Sequence, residues 1–131
     1  MQLVELIATL AVAQYLAFGA LTGRARAKSG LKAPVMTGDD GFERMYRVQM
    51  NTLEVMMAFL PSLFIAALHW PAVLVAGLGV IYLVGRVIYW RAYVAQPSKR
   101  GLGFMLSMMP TLALALLALI GNVLALCGAI A

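Results

Sequence analysis

Apolar residues in this chain come in four long runs, with the polar residues gathered at their ends. The runs occupy about residues 3–22, 42–69, 72–95 and 103–127, each near or above the roughly 20 residues that an α-helix needs to cross hydrocarbon. Between them lie GRARAKSGLKAPVMTGDDG, the His69-Trp70-Pro71 turn and AQPSKRG, and the Gly, Pro and basic residues of the first and last suit loops outside a bilayer. The pattern predicts an all-α, integral membrane four-helix bundle forming a single domain over residues 1–131. Pro110 is expected to bend the fourth helix, and Trp70 stands where an interfacial aromatic anchor belongs.

Composition agrees and excludes other classes. Hydrophobic residues make up 63% of the chain and charged residues 11%, against roughly 25% charge in a soluble domain. The net charge of +5 does not point to nucleic acid, because the ten basic residues form no solvated run flanked by exposed aromatics. One cysteine, Cys127, and one histidine, His69, leave no expected disulfide or metal site. Glu5 stands where a signal peptide would be basic, so the first run is read as a retained span. All ten basic residues fall at one end of the four runs, in the first and third connections or in the adjoining parts of spans two and three. The positive-inside rule puts that end in the cytoplasm, and the short loops suit a bacterial inner membrane.

Two polar stripes interrupt this simple picture. In FERMYRVQMNTLE, Arg44, Arg47, Asn51 and Glu54 fall within an arc of roughly 80° on one helix face. In the third run Tyr82, Arg86, Tyr89 and Tyr93 occupy roughly 60°. If the two runs form an antiparallel hairpin turning near residue 70, residues whose numbers sum to about 140 lie level. Arg47 then faces Tyr93, Asn51 faces Tyr89 and Glu54 faces Arg86.

Charge at mid-span costs roughly 2.5–3.5 kcal/mol on insertion scales, so these groups must face protein or water. Arg44, Arg47, Arg86 and Arg91 outnumber Glu43 and Glu54, and an anionic ligand would neutralise the surplus. The plainer reading is a structural Glu54–Arg86 ion pair with Arg44 and Arg91 snorkelling to headgroups. Arginine forks suit carboxylates, the Asn51 amide a peptide group, and Glu54 an ammonium. A small zwitterionic peptide with excess carboxylate, such as glutathione, fits that set. Its thiol, with a pKa of about 8.5, becomes a nucleophile where a cation favours the thiolate.

Arg47, Gln49, Asn51 and Glu54, preceded by Arg44, resemble the signature of the MAPEG family, the membrane-associated proteins in eicosanoid and glutathione metabolism. YLVGRVIYWRAYVAQPSKRG is similar to that family's second segment, with Arg86, Tyr89, Tyr93 and Arg100 at the family's spacing. The resemblance covers essentially the whole chain and lies nearest the leukotriene C4 synthase and microsomal glutathione transferase branch. It implies a homotrimer with glutathione between subunits, used as co-substrate against a hydrophobic electrophile or lipid hydroperoxide. Arg47, Asn51, Glu54, Arg86, Tyr89 and Tyr93 would hold the tripeptide from one subunit, Arg26 and Gln49 from its neighbour, and Arg100 would stabilise the thiolate. Gln49 points about 200° away from Arg47 around the helix, which suits two contributing subunits.

Departures from that branch are Val55 where a tyrosine is usual, Met57 in place of a proline that stands here at Pro61, and Ala27 in place of a second first-loop arginine. The favoured expectation is a glutathione transferase, with peroxidase activity alongside. The alternatives are a noncatalytic lipid- or glutathione-binding protein of the same architecture and a small transporter. Met105, Met108, Met109 and Phe104 are expected to pack against core or lipid, Ser107 to bond its own helix backbone, and Asp39 and Asp40 to cap a helix.

Overall fold

The apolar runs become four helices in the computed structural model, which describes Met1–Ala131: α1 Gln2–Ser29, α2 Asp40–His69, α3 Ala72–Ala95 and α4 Gly101–Leu126, with a 3-10 turn at Pro97–Lys99. Each is long and apolar enough to cross a membrane. The shortest has 24 residues, or about 36 Å at 1.5 Å per residue, against a hydrocarbon core of about 30 Å.

The largest departure from expectation lies at the end of α1, which continues through Gly23–Ser29 where a loop was expected. Arg, Ala and Lys are strong helix formers, and a helix leaving the bilayer keeps its own hydrogen bonds. It stops where Gly30 adopts φ 77°, a left-handed cap open to glycine at little cost. Asp39 then caps α2, its Oδ2 accepting from the Phe42 N–H at 2.9 Å.

Trp70 and Pro71 alone join α2 to α3. The Trp70 indole, expected at an interface, is half-buried and donates to the Leu117 carbonyl of α4 at 2.8 Å. His69 meets Asn122 at 2.9 Å, so the far ends of the parallel helices α2 and α4 are tied together.

The main core runs along the centre of the bundle, from Val4 and Ala11 on α1 through Leu63 on α2 and Val75 on α3 to Leu114 on α4. Phe59 and Tyr82 stack at its middle with centroids 3.7 Å apart. A smaller cluster of Phe18, Met45, Val48 and Tyr89 lies toward the basic end. Only 28 of 131 residues are buried, while Met57, Leu68, Val73 and Leu126 are more than 60% exposed. An apolar exterior of this kind is what lipid contact requires.

Helices α3 and α4 approach closely through two glycines. A Cβ on Gly85 would stand 2.7 Å from the Leu106 carbonyl carbon, and one on Gly103 would overlap the Tyr89 backbone. Backbone cannot swing aside as a flexible side chain can, so small residues set this crossing. Gly103→Leu is expected to cost about 1–3 kcal/mol or more by overpacking. Gly77→Ala, where nothing lies within 4 Å, should be neutral or stabilising by about 0.5–1 kcal/mol. Denaturation in micelles compares the two, and an unaltered Gly103→Leu would show that the helices are not in contact there.

Candidate functional site

Arg86 is the centre of the polar cluster and is wholly buried. Its Nε donates to Ser107 Oγ at 2.8 Å, and its Nη1 to Asn51 Oδ1 at 2.8 Å and Thr52 Oγ1 at 3.2 Å. One side chain on α3 therefore binds α2 and α4 together. The two hydroxyls suit it because each donates its own proton to helix backbone, Ser107 to Gly103 O and Thr52 to Val48 O, leaving lone pairs for the guanidinium. The Tyr89 ring lies 4.3 Å beneath the guanidinium carbon. The Nη2 of Arg86 and the hydroxyl of Tyr82, one turn away, have no hydrogen-bond partner within the chain.

The hairpin register is close to that read from the sequence. Phe59 faces Tyr82, Asn51 and Thr52 face Arg86, and Arg44 reaches Val94 and Ala95. The consequence for Glu54 is a correction: it is exposed, and the guanidinium of Arg86 goes to Asn51 and two hydroxyls, so the structural ion pair does not form. Arg44 has partners within the chain. It donates to the last carbonyls of α3, at 3.1 Å to Val94 and 3.4 Å to Ala95, where a cation offsets the negative end of the helix dipole.

Around this knot the remaining candidates fall into two groups. Arg47 and Glu54 are exposed and Asn51 half-buried along the open face of α2. With its Oδ1 accepting from Arg86, Asn51 retains an NH2 group as donor. Tyr89 is nearly buried and stands 5.5 Å from the Tyr93 ring. Arg100 is exposed at the start of α4, with Nη1 on the Pro97 carbonyl at 3.0 Å. Gln49 and Arg26 belong elsewhere. Gln49 faces α1, its Nε2 3.3 Å from where a Cβ on Gly19 would be. Arg26 donates to the Val35 carbonyl at 2.7 Å and lies over the Phe42 ring at 4.4 Å.

With the helices and this cluster in place, the chain can be set beside known proteins. The sequence pattern of the MAPEG family matches residues 4–120, from α1 almost to the end of α4. The chain belongs to the MAPEG family. It is similar to microsomal glutathione S-transferase 2 of Homo sapiens, 34% identical over 119 residues that cover 91% of this chain and 79% of the human protein. An uncharacterized protein of Synechocystis sp. is 41% identical over 115 residues, 88% of this chain and 84% of that one. Leukotriene C4 synthase of Cavia porcellus is 34% identical over 77 residues, 59% of this chain and 51% of the synthase.

Family membership and the four apolar helices make this an integral membrane protein. In this MAPEG chain Arg47 and Arg100 are exposed and Asn51 and Tyr93 half-buried, so these candidates lie open rather than in an enclosed pocket. Sequence reasoning had missed Thr52 as a partner of Arg86. It had placed Ser107 on its own backbone, which is correct for the proton, but missed the lone pair given to Arg86. The register sum was the available signal, since it levels position 52 with 86 to within two residues.

Proposed function

We propose that this protein is a membrane-bound glutathione transferase in which a cationic wall on α2, α3 and α4 binds the tripeptide and activates its thiol. The observation that carries the reading is the bond from Arg86 to Asn51, which joins the α3 arginine to the α2 stripe of Arg47, Asn51 and Glu54, with Arg100 at the start of α4. Glutathione brings two carboxylates and one ammonium to such a surface. Arg47 and the Asn51 amide hold a carboxylate and a peptide carbonyl, Glu54 the ammonium, and Tyr89 and Tyr93 the peptide through their rings and hydroxyls. Arg86 acts chiefly by fixing Asn51, with Nη2 as its remaining donor.

Arg100, at the positive end of α4, stabilises the thiolate. The sulfur then forms a bond to an electrophilic carbon, the leaving group departs with the bonding pair, and the thiol proton goes to water. A lipid hydroperoxide would instead be reduced, with a second glutathione completing the disulfide. The open wall is closed by a neighbouring copy in a homotrimer, which supplies Arg26 from the end of its α1 and Gln49 from the α1-facing side of its α2. The basic residues gathered at this end support a site that faces the cytoplasm, and the short loops suit a bacterial inner membrane. The similarity to microsomal glutathione S-transferase 2 over 91% of the chain supports this reading.

Calorimetric titration of the micelle-solubilised protein with glutathione, run beside a conjugation assay with an aromatic halide and a lipid hydroperoxide assay, tests it. Saturable binding with conjugate formation is expected, and Arg47→Ala should raise KM for glutathione about tenfold or more with kcat nearly kept. Undetectable binding at millimolar glutathione would assign the protein to the noncatalytic class.

A further inference from the structure

The basic end carries a second set of cations that the wall does not use. Arg24 and Lys28 stand one turn apart on α1, and Arg91 lies on α3 over the ring of Trp90, which shares a cleft with them. All three are exposed, and none donates to a carboxylate. Arg24 and Lys28 line a cleft of 250 Å³ together with Leu21, Met45, Trp90 and Val94. A second opening, lined by Arg91, shares Trp90 and Val94 with it, so the three cations edge two neighbouring openings. Asp39, the carboxylate in the adjoining cleft beside Lys28, is engaged as the cap of α2.

Deeper along the same α1–α3 seam lies an apolar cleft of 390 Å³, walled by Leu10 on α1 and by Val84, Val87 and Ile88 on α3. Phe18 and Trp90, 5.7 Å apart, bridge the two helices between the deep and shallow parts. From Leu10 to Arg24 is about 21 Å along α1 and from Val84 to Arg91 about 10 Å along α3, comparable with the roughly 15 Å of one leaflet's hydrocarbon. Basic rim, aromatic at the interface and apolar trough thus follow in the order of a lipid's headgroup, glycerol and chain.

We propose that the α1–α3 seam binds one anionic phospholipid, its phosphate held by Arg24, Lys28 and Arg91 and one acyl chain lying in the trough beside Val87. A second copy of this chain suits the seam less well, because its own basic end would be brought against three unpaired cations.

Native mass spectrometry of the full-length protein, equilibrated in micelles with equal amounts of phosphatidylglycerol and phosphatidylcholine, reads the occupant directly. Phosphatidylglycerol should be retained about tenfold over phosphatidylcholine, and Arg24→Gln/Lys28→Gln/Arg91→Gln should bring the ratio to within about twofold. Val87→Trp, which fills the trough and leaves the cations, should lower retention of both lipids. Circular dichroism reports whether each variant keeps its helices. Equal retention of the two lipids by the wild type would overturn the proposal. So would displacement of bound lipid by millimolar glycerol 3-phosphate, which marks a simple anion site. Cross-linking from position 87 into another copy would show the seam to be a subunit interface and would overturn it as well.

Discussion

Removing the two hydroxyls that surround Arg86, by Thr52→Val and Ser107→Ala together, will destabilise the protein more than removing the arginine. The double variant leaves a buried cation with Asn51 as its one hydrogen-bond acceptor, and stranding a buried charge costs about 3–5 kcal/mol. Arg86→Met removes the charge, and the hydroxyls keep their bonds to Gly103 and Val48. Only the Asn51 carbonyl is left without its donor, at about 1–3 kcal/mol. Adding Arg86→Met to the double variant should therefore recover stability, a coupling that independent sites would not show. Denaturant titration in micelles measures the series. A double variant as stable as the wild type would mean that water, rather than Thr52 and Ser107, solvates the guanidinium. Arg86→Met has a further consequence, since Asn51 loses the contact that orients its amide, and glutathione affinity should fall about tenfold.

The fold was legible because membrane spanning is written in run length. Four apolar stretches gave four helices, and a backbone that must satisfy itself in hydrocarbon leaves little other choice. The end of α1 was less legible, because Gly23–Ser29 contains both loop-like charge and good helix formers, and charge alone does not end a helix that has already reached water. The hairpin register was readable from the two stripes because the turn is only Trp70-Pro71. An uncertainty of a few residues in a sum is still most of a helical turn. That difference separates Arg86 with Glu54 from Arg86 with Asn51 and Thr52, and so an ion pair from a neutral cage. The roles of Arg44 on the α3 carbonyls and of Trp70 on Leu117 depended on contacts between distant parts of the chain, which no local pattern encodes.

Arg100→Ala should lower kcat by about 10²–10³, the usual effect of losing one charge-stabilising donor, and leave KM for glutathione nearly unchanged. The separation follows from position. Arg100 sits at the start of α4, while the groups proposed for the carboxylates and amine lie along α2. Its loss removes stabilisation of the sulfur anion and leaves the grip on the peptide. The thiolate band in the ultraviolet on adding glutathione should disappear in Arg100→Ala and return in part in Arg100→Lys, which restores the charge without the planar fork. Arg47→Ala should show the opposite signature, a weakened KM with the thiolate band intact at saturation. Because Arg100 Nη1 rests on the Pro97 carbonyl, Arg100→Ala also loosens the 3-10 turn that begins α4. A drop in kcat with the thiolate band retained would therefore reveal a positioning defect and return the activating charge to Arg86 Nη2, the buried donor that has no partner within the chain.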